Sequence, residues 1–307
     1  MNVKFLAIDL GGTDIKYALM TRDAEIIEKS KVPTPELALG SIEVIIEVLS
    51  DIISQYYGQI EGIALSMPGI LNSFTGDTES AGLYSHYLSH NNLPRLLQAH
   101  FDLPITVEND GKAAALSELW KGGLKDVDNG AVVILGTAVG GGIIIDRKLY
   151  RGNTFAAGEM SFMLTNNDDN EFWGGTGGSS YLVRLVSEKL DIPLEELNGY
   201  KVFELANDGD AQVLEILKIY TDKLARQLYS MQALLDLDLF AIGGGISRQP
   251  ILHEYLQQSI NEYCDAHPFL EFMPRVPVPK ITTCKFFNDS NLIGALYHHL
   301  TLTGQID

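Results

Sequence analysis

The chain has 307 residues, of which 46% are hydrophobic and 20% charged, enough apolar material for two domains with their own cores. Its formal net charge of −18 argues against binding nucleic acid or an anionic membrane surface through general electrostatics, so an anionic ligand must be held locally, by backbone N–H groups, a few cations or a metal ion. Two cysteines, Cys264 and Cys284, are too few for a cysteine zinc cluster or a disulfide framework and fit free thiols in a reducing cytoplasm.

The first residues run into a strand with no charged-then-apolar leader. The opening reads as a meander. Residues 3–10 and 15–20 are apolar strands around the turn Asp9-Leu10-Gly11-Gly12-Thr13-Asp14-Ile15-Lys16, and residues 25–32 form a third strand. Residues 41–57 carry apolar side chains at helical spacing (Ile42, Ile45, Ile46, Leu49, Ile52, Ile53). Residues 62–67 read as a buried strand ending at Pro68-Gly69, and residues 72–82 as a polar, turn-rich stretch. A short helix (93–100), a strand (105–107) and a helix (111–121) follow.

The second half opens in the same way. Residues 131–135 and 142–146 are strands around Gly136-Thr137-Ala138-Val139-Gly140-Gly141-Gly142, followed by a third at 148–150. The glycines mark the uncharged stretch 129–145 as two strands and a turn rather than a membrane helix, which needs about 20 mostly apolar residues. Residues 151–180 read as a long irregular region, and such regions are usually functional or mobile. Ala211–Leu235 is the clearest helix: Val213, Leu217, Tyr220, Leu224, Leu228, Met231 and Leu235 form one stripe. A strand (239–242), the turn Gly243-Gly244-Gly245-Ile246-Ser247, a helix (249–263), a strand (280–286) and a closing helix (290–300) complete the chain. Helices alternating with strands around hairpins predict α/β architecture with mixed sheets.

The two hairpin turns share a design suited to anions. Glycine leaves room for a ligand to reach bare backbone N–H groups, and successive N–H groups form a nest for an anion. Neither a Walker A sequence nor a Gly-x-Gly-x-x-Gly fingerprint occurs. No histidine spacing suits a metal, and His298-His299 reads as a surface pair. No Gly-x-Ser-x-Gly elbow surrounds Ser66, Ser161 or Ser247. Asp168-Asp169 reads as a solvated loop.

Taken in order, Asp9–Lys16, Ser66-Met67-Pro68-Gly69, Glu108-Asn109-Asp110-Gly111-Lys112-Ala113-Ala114-Ala115, Gly136–Gly142, Ala157-Gly158-Glu159 and Ile242–Ser247 resemble the ROK family. These are sugar kinases, with some related sugar-responsive repressors, and the resemblance spans nearly the whole chain. It implies two RNase-H-like lobes of the actin-like, Hsp70-like ATPase fold: residues 1–119 with 290–307, and residues 120–289. ATP and a sugar would share the cleft between them, and the second lobe would carry the dimer surface.

The resemblance also assigns roles. Asp9 would hold Mg²⁺ through water, as a hard cation prefers oxygen ligands. Gly11, Gly12 and Thr13 would meet phosphate oxygens. Lys16 reads equally as a phosphate contact or a surface lysine. Gly136, Thr137 and Gly140 would close over the β- and γ-phosphates, and Gly243, Gly244 and Gly245 would lie under adenine and ribose, unless that turn is only a helix entry capped by Ser247. Asp110 is the candidate catalytic base; the alternative is a mere helix N-cap. Asn109 and Glu159 would bind sugar hydroxyls, with Ser66, Gly69 and Ser80 lining the same cleft.

Two departures matter. Where many family members have a Gly-His after the Gly-Glu pair, this chain has Ser161 and Phe162; where many have a cysteine-rich zinc loop ending in a glutamate, it has residues 173–180 without cysteine or acid. The expectation is therefore no zinc, with Ser180 or Ser179 near the position of the lost glutamate. Phe162 and Trp173 are available to stack on a sugar, and Phe162 equally to join the core. The pattern is similar to the zinc-free branch that includes β-glucoside kinases. The implied protein is a cytoplasmic, homodimeric, ATP- and Mg²⁺-dependent kinase acting on a hydroxyl, O6 first, of a hexose, hexosamine or β-glucoside. The alternatives are a catalytically weak sugar- or nucleotide-binding regulator and a DNA-binding repressor. The repressor is disfavoured because a first motif at Asp9 leaves no room for a helix-turn-helix ahead of it.

Overall fold

The computed structural model describes residues 3–35, 42–166, 171–266 and 276–306; Asp168 and Asp169 lie outside them. The chain divides into two compact units. Unit 1 comprises Met1–Trp120, Leu149–Ala157 and Asp289–Asp307, and unit 2 comprises Lys121–Lys148 and Gly158–Asn288.

The first elements are β1 (Lys4–Leu10), β2 (Asp14–Thr21), β3 (Ile26–Pro33), α1 (Ile42–Ser54), β4 (Ile63–Met67), β5 (Ile70–Leu71), β6 (Thr78–Ser80), α2 (Ser85–Leu88), α3 (Leu93–Gln98), β7 (Ile105–Asn109) and α4 (Asp110–Lys121). Then come β8 (Gly130–Leu135), β9 (Val139–Ile145), β10 (Lys148–Tyr150), β11 (Leu164–Asn166), β12 (Glu171–Phe172), α5 (Trp173–Thr176), α6 (Ser179–Leu190), α7 (Gly199–Asn207), α8 (Ala211–Leu235), β13 (Leu239–Gly243), α9 (Pro250–Asp265), β14 (Ile281–Thr283) and α10 (Ser290–Leu302).

Two five-stranded sheets have corresponding orders, β3-β2-β1-β4-β7 and β10-β9-β8-β13-β14. In the first, β1 pairs antiparallel with β2 and parallel with β4, which pairs parallel with β7. In the second, β8 pairs antiparallel with β9 and parallel with β13, which pairs parallel with β14. The parallel strands are buried on both faces, so β4 (Ile-Ala-Leu-Ser-Met) has no exposed position. The edge strand β3 is mostly exposed and carries Glu28, Lys29 and Lys31, charges that discourage edge-to-edge pairing.

Helices pack by the stripes that their sequences announce. Ile45, Leu49, Ile52 and Ile53 of α1 join Leu6, Ile8 and Leu65 in the core of unit 1. On α8, Val213, Leu217, Tyr220, Leu224, Leu228 and Met231 are buried, and Leu235 is partly so. Asp210 caps α8 by accepting from Gln212 N and Val213 N.

The region expected to be irregular at 151–180 holds β11, β12, α5 and the start of α6. Helices α6 and α7 had no counterpart in the sequence reading. They bury few side chains, Leu182 and Val186 on α6 and Val202, Phe203 and Ala206 on α7, too little for a stripe to stand out. The stretch read as turns at 72–82 includes β6, the second arm of the β5–β6 hairpin. His298 and His299 are buried rather than on the surface, because α10 is apolar almost all round and packs against β1, β4 and β7. Trp173 is wholly buried in the unit 2 core, whereas Phe162 is 68% exposed and is no core residue.

Candidate active site

In unit 1 the pairing registers bring the predicted polar residues together. Asp9 lies opposite Ser66, Ser66 opposite Glu108, and Met67 opposite Asn109. Asp9, Ser66 and Asn109 thus occupy the carboxyl ends of three adjacent parallel strands, where open α/β sheets bind ligands. Asp9 is 4% exposed. Its Oδ1 accepts from Ser66 Oγ at 2.9 Å and from Asn291 Nδ2 at 3.1 Å. Burial pushes the Asp9 carboxyl pKa up, while Asn291, Ser66 and the charge of Lys16 pull it down. Lys16 pairs with Asp9 across the β1–β2 ladder and is half-buried.

The β1–β2 turn is anchored from below. Gly11 O accepts from Thr34 Oγ1 and from the buried Tyr84 Oη, both at 2.7 Å. Gly12 and Thr13 are exposed, and their N–H groups donate to no acceptor among the described residues. In unit 2 the β8–β9 turn is held similarly. Gly136 O accepts from Ser179 N at 2.7 Å and Ser179 Oγ at 2.9 Å. Thr137 and Ala138 are exposed, again with N–H groups that donate to no acceptor among the described residues. Gly140 sits half-buried in β9 opposite Ile134. Ser180 is exposed on the first turn of α6, so Ser179, not Ser180, supports this turn.

Helix α4 begins at Asp110, but its cap is Asn109. Asn109 Oδ1 accepts from Lys112 N at 3.0 Å, and its Nδ2 donates to Gly69 O at 2.9 Å. Asp110 Oδ1 accepts from Gly111 N at 2.8 Å, on a half-buried side chain at the positive end of the helix. Gly69 has φ +111, and a Cβ there would collide with Ser80 O, so glycine is required where the chain leaves β4. Ser80 lies opposite Ile70 in the β5–β6 hairpin.

Gly243 ends β13 opposite Ile134. Gly244 has φ +95, and its Cβ would strike Leu135 O; Gly245 opens a 3-10 turn, Gly245–Arg248. Ser247 is buried and donates through Oγ to Gly244 O at 2.8 Å. It closes this turn and does not cap α9, whose preceding residue is Gln249. Glu159 is half-buried ahead of a short turn, Met160–Phe162. Ser161 Oγ donates to Val139 O at 2.7 Å and accepts from Val139 N at 3.2 Å, a backbone clamp in place of a ligand contact.

Sequence reasoning missed a buried charge network behind β7. Arg151 Nη2 donates to Glu108 Oε2 at 2.6 Å, and its Nε donates to Ser73 Oγ at 3.0 Å. His298 Nε2 lies 3.0 Å from Ser73 O; a carbonyl only accepts, so Nε2 carries the proton. Burial, with Arg151 alongside, pushes the His298 pKa down against the pull of Glu108. Glu108 Oε1 accepts from Asn109 N at 2.9 Å, tying this network to the residue before Asp110. Asn291, Tyr84 and Thr34 also went unread, because their partners lie tens or hundreds of residues away.

Among the described residues, no group of three or more His, Cys, Asp or Glu side chains is placed to hold a metal ion, and no helix is long and apolar enough to cross a membrane.

The chain is 29% identical over 304 residues to the beta-glucoside kinase of Listeria monocytogenes, covering 97% of this chain and 98% of that one. It is 30% identical over 303 residues to the N-acetylmannosamine kinase of Yersinia pestis, covering 95% and 97%. A ROK family protein from Streptococcus pneumoniae, solved in complex with sucrose, superposes with a TM-score of 0.86 at 29% identity, covering 99% and 100%. The ROK family model matches residues 5–301, and the chain belongs to the ROK family.

Proposed function

We propose that this protein is an ATP-dependent sugar kinase that transfers the γ-phosphate to a hydroxyl, O6 first, of a hexose, hexosamine or β-glucoside. The observation that carries this reading is the register that aligns Asp9, Ser66 and Asn109–Asp110 at the ends of three adjacent parallel strands. The exposed amides of Gly12, Thr13 and Thr137 are the phosphate contacts, whereas the Gly136 N–H is donated to Ala138 O at 3.0 Å. Gly140 keeps the second turn narrow. Gly243, Gly244 and Gly245 leave space for adenosine. The two related kinases act, by their names, on a β-glucoside and on N-acetylmannosamine, which supports the acceptor class without choosing within it.

Asp110 takes the proton from the acceptor hydroxyl as its oxygen bonds to the γ-phosphorus and the bond to the β-phosphate breaks, releasing ADP. Phosphoryl transfer depends mostly on positioning and charge stabilisation, so a carboxylate at a helix N-terminus suffices as base. Asn109, Glu159, Ser66, Gly69, Ser80 and Ser180 are the sugar contacts. Asn109 is held in place by its cap and by Gly69.

Asp9 suits a hard cation: Oδ2, the oxygen not bonded by Ser66 or Asn291, makes no hydrogen bond among the described residues. Mg²⁺ held there through water would neutralise phosphate charge. A zinc-free loop, a homodimer and a cytoplasmic location complete the proposal.

A weak regulator is the second reading, favoured by Ser161, whose hydroxyl is engaged by Val139. The variant Asp110→Asn separates the two. Sugar-dependent ADP release should fall at least about 10²-fold while nucleotide affinity persists; near-normal turnover would sink the assignment of Asp110.

A further inference from the structure

A buried ion pair is weak support for a fold, because desolvation offsets the attraction and apolar residues of the same volume often serve as well. Unit 1 nevertheless buries one: the Glu108 side chain is 1% exposed and that of Arg151 16%. What this pair supplies is direction. A guanidinium is a rigid planar fork of donors, and here two of them are spent on different segments. Nη2 donates to Glu108 Oε2 at 2.6 Å, and Nε donates to Ser73 Oγ at 3.0 Å. The fork is itself held in place. The Phe74 ring centre lies 5.0 Å from the guanidinium carbon, and His298 Nδ1, the nitrogen without the proton, lies 3.4 Å from Nη2. The loop that carries Arg151 closes on itself, with Ala157 N donating to Arg151 O at 3.2 Å.

The two segments that Arg151 joins both lead to candidate acceptor contacts. Ser73 follows β5, the arm of the β5–β6 hairpin that Gly69 precedes and Ser80 faces. Glu108 precedes Asn109 and Asp110, and its second oxygen, Oε1, accepts from Asn109 N at 2.9 Å. The same two segments meet once more where Asn109 Nδ2 donates to Gly69 O at 2.9 Å. One tie would leave the hairpin free to pivot on Asn109. A second tie through a rigid fork removes that freedom, and His298 Nε2, donating to Ser73 O at 3.0 Å, secures its far end.

We infer that Arg151 is a positioning residue: acting through Glu108 and Ser73, it fixes the Asn109–Asp110 turn against the Gly69–Ser80 hairpin, and so fixes the base against the acceptor hydroxyl. The inference rests on the sugar-kinase reading for what is positioned, but not for the hold on the turn. A displacement of about 1 Å between reacting groups costs on the order of 10²-fold in rate, so a residue that touches no substrate has a large effect through such a hold.

The test compares the full chain with Arg151→Met, Arg151→Lys and the double variant Arg151→Met with Glu108→Gln. It measures sugar-dependent ADP release, melting temperature and amide hydrogen exchange of residues 105–112. Arg151→Met should lower kcat at least about tenfold with KM for ATP within about twofold. Arg151→Lys keeps the charge but not the fork, and should recover only part of kcat. The double variant leaves no uncompensated buried charge, so its melting temperature should return toward the wild-type value while kcat stays low. Unchanged kcat in Arg151→Met, or kcat restored together with the melting temperature in the double variant, would overturn the inference. Hydrogen exchange separates its failure from that of the kinase reading. In Arg151→Met the Asn109 amide should exchange at least about tenfold faster, the effect of loosening one hydrogen bond to a charged group. If no sugar stimulates the wild type, the kinase reading fails; faster exchange then still supports the hold of Arg151 on the turn, and unchanged exchange overturns it.

Discussion

His299 shows how a single buried side chain sets a pH response. It is wholly buried, its Nδ1 lies 3.0 Å from Thr106 Oγ1, and its Nε2 has no hydrogen-bond partner among the described residues. Burial, with His298 adding to it, pushes its pKa from 6.5 down to about 4. The unfolded chain therefore binds a proton at higher pH than the folded protein does. His299 contributes stability that is present above pH 6.5 and is lost as pH falls through that value toward about 4. In urea titrations, His299→Asn should lose less stability than the wild type between pH 7 and pH 5. Parallel losses in the two proteins would remove His299 from the account. Lys16 and Asp110 mark the limits of reading at this scale. The sequence leaves both open: the ladder sets Lys16 opposite Asp9, and Asn109 caps the helix that Asp110 begins, neighbours that no local pattern displays.

Helix α10 is the element on which the unit 1 site depends. Its first turn delivers Asn291 to Asp9, and its last delivers His298 to the Arg151–Glu108 pair. It approaches α4 at Gly294, where a Cβ would run into the backbone oxygen of Ala113. Helix propensity alone would favour Gly294→Ala by about 1 kcal/mol. The clash should reverse that sign, with a net destabilisation of about 2 kcal/mol by denaturant titration; a stabilised variant would contradict this packing. Legibility at this scale follows burial. Helix α8 is legible from its sequence because six buried side chains repeat along one face. Helices α6 and α7 were missed because two or three buried positions make no periodic signal. Gly174, Gly177 and Gly178 also look like loop, yet they serve close packing: a Cβ at Gly178 would strike Thr137 O. The charge network around Arg151 was invisible because its members come from four separate stretches of chain.

At the scale of the whole molecule, two sheets of like order each place a glycine hairpin turn at the carboxyl end of a buried parallel strand. With a net charge of −18, the protein has no general attraction for a polyphosphate. On the proposed reading local amides, Lys16 and a cation at Asp9 would supply it, and both turns carry exposed amides suited to that task. The central claim is that ATP turnover is coupled to phosphorylation of a sugar. The most direct test incubates the protein with Mg²⁺-ATP and a panel containing glucose, N-acetylmannosamine and cellobiose, and measures ADP and sugar phosphate together by mass spectrometry. The account predicts that at least one sugar accelerates ADP release and yields one sugar phosphate per ADP. ADP formed at the same rate without sugar, or with no sugar phosphate from any of the panel, would contradict it.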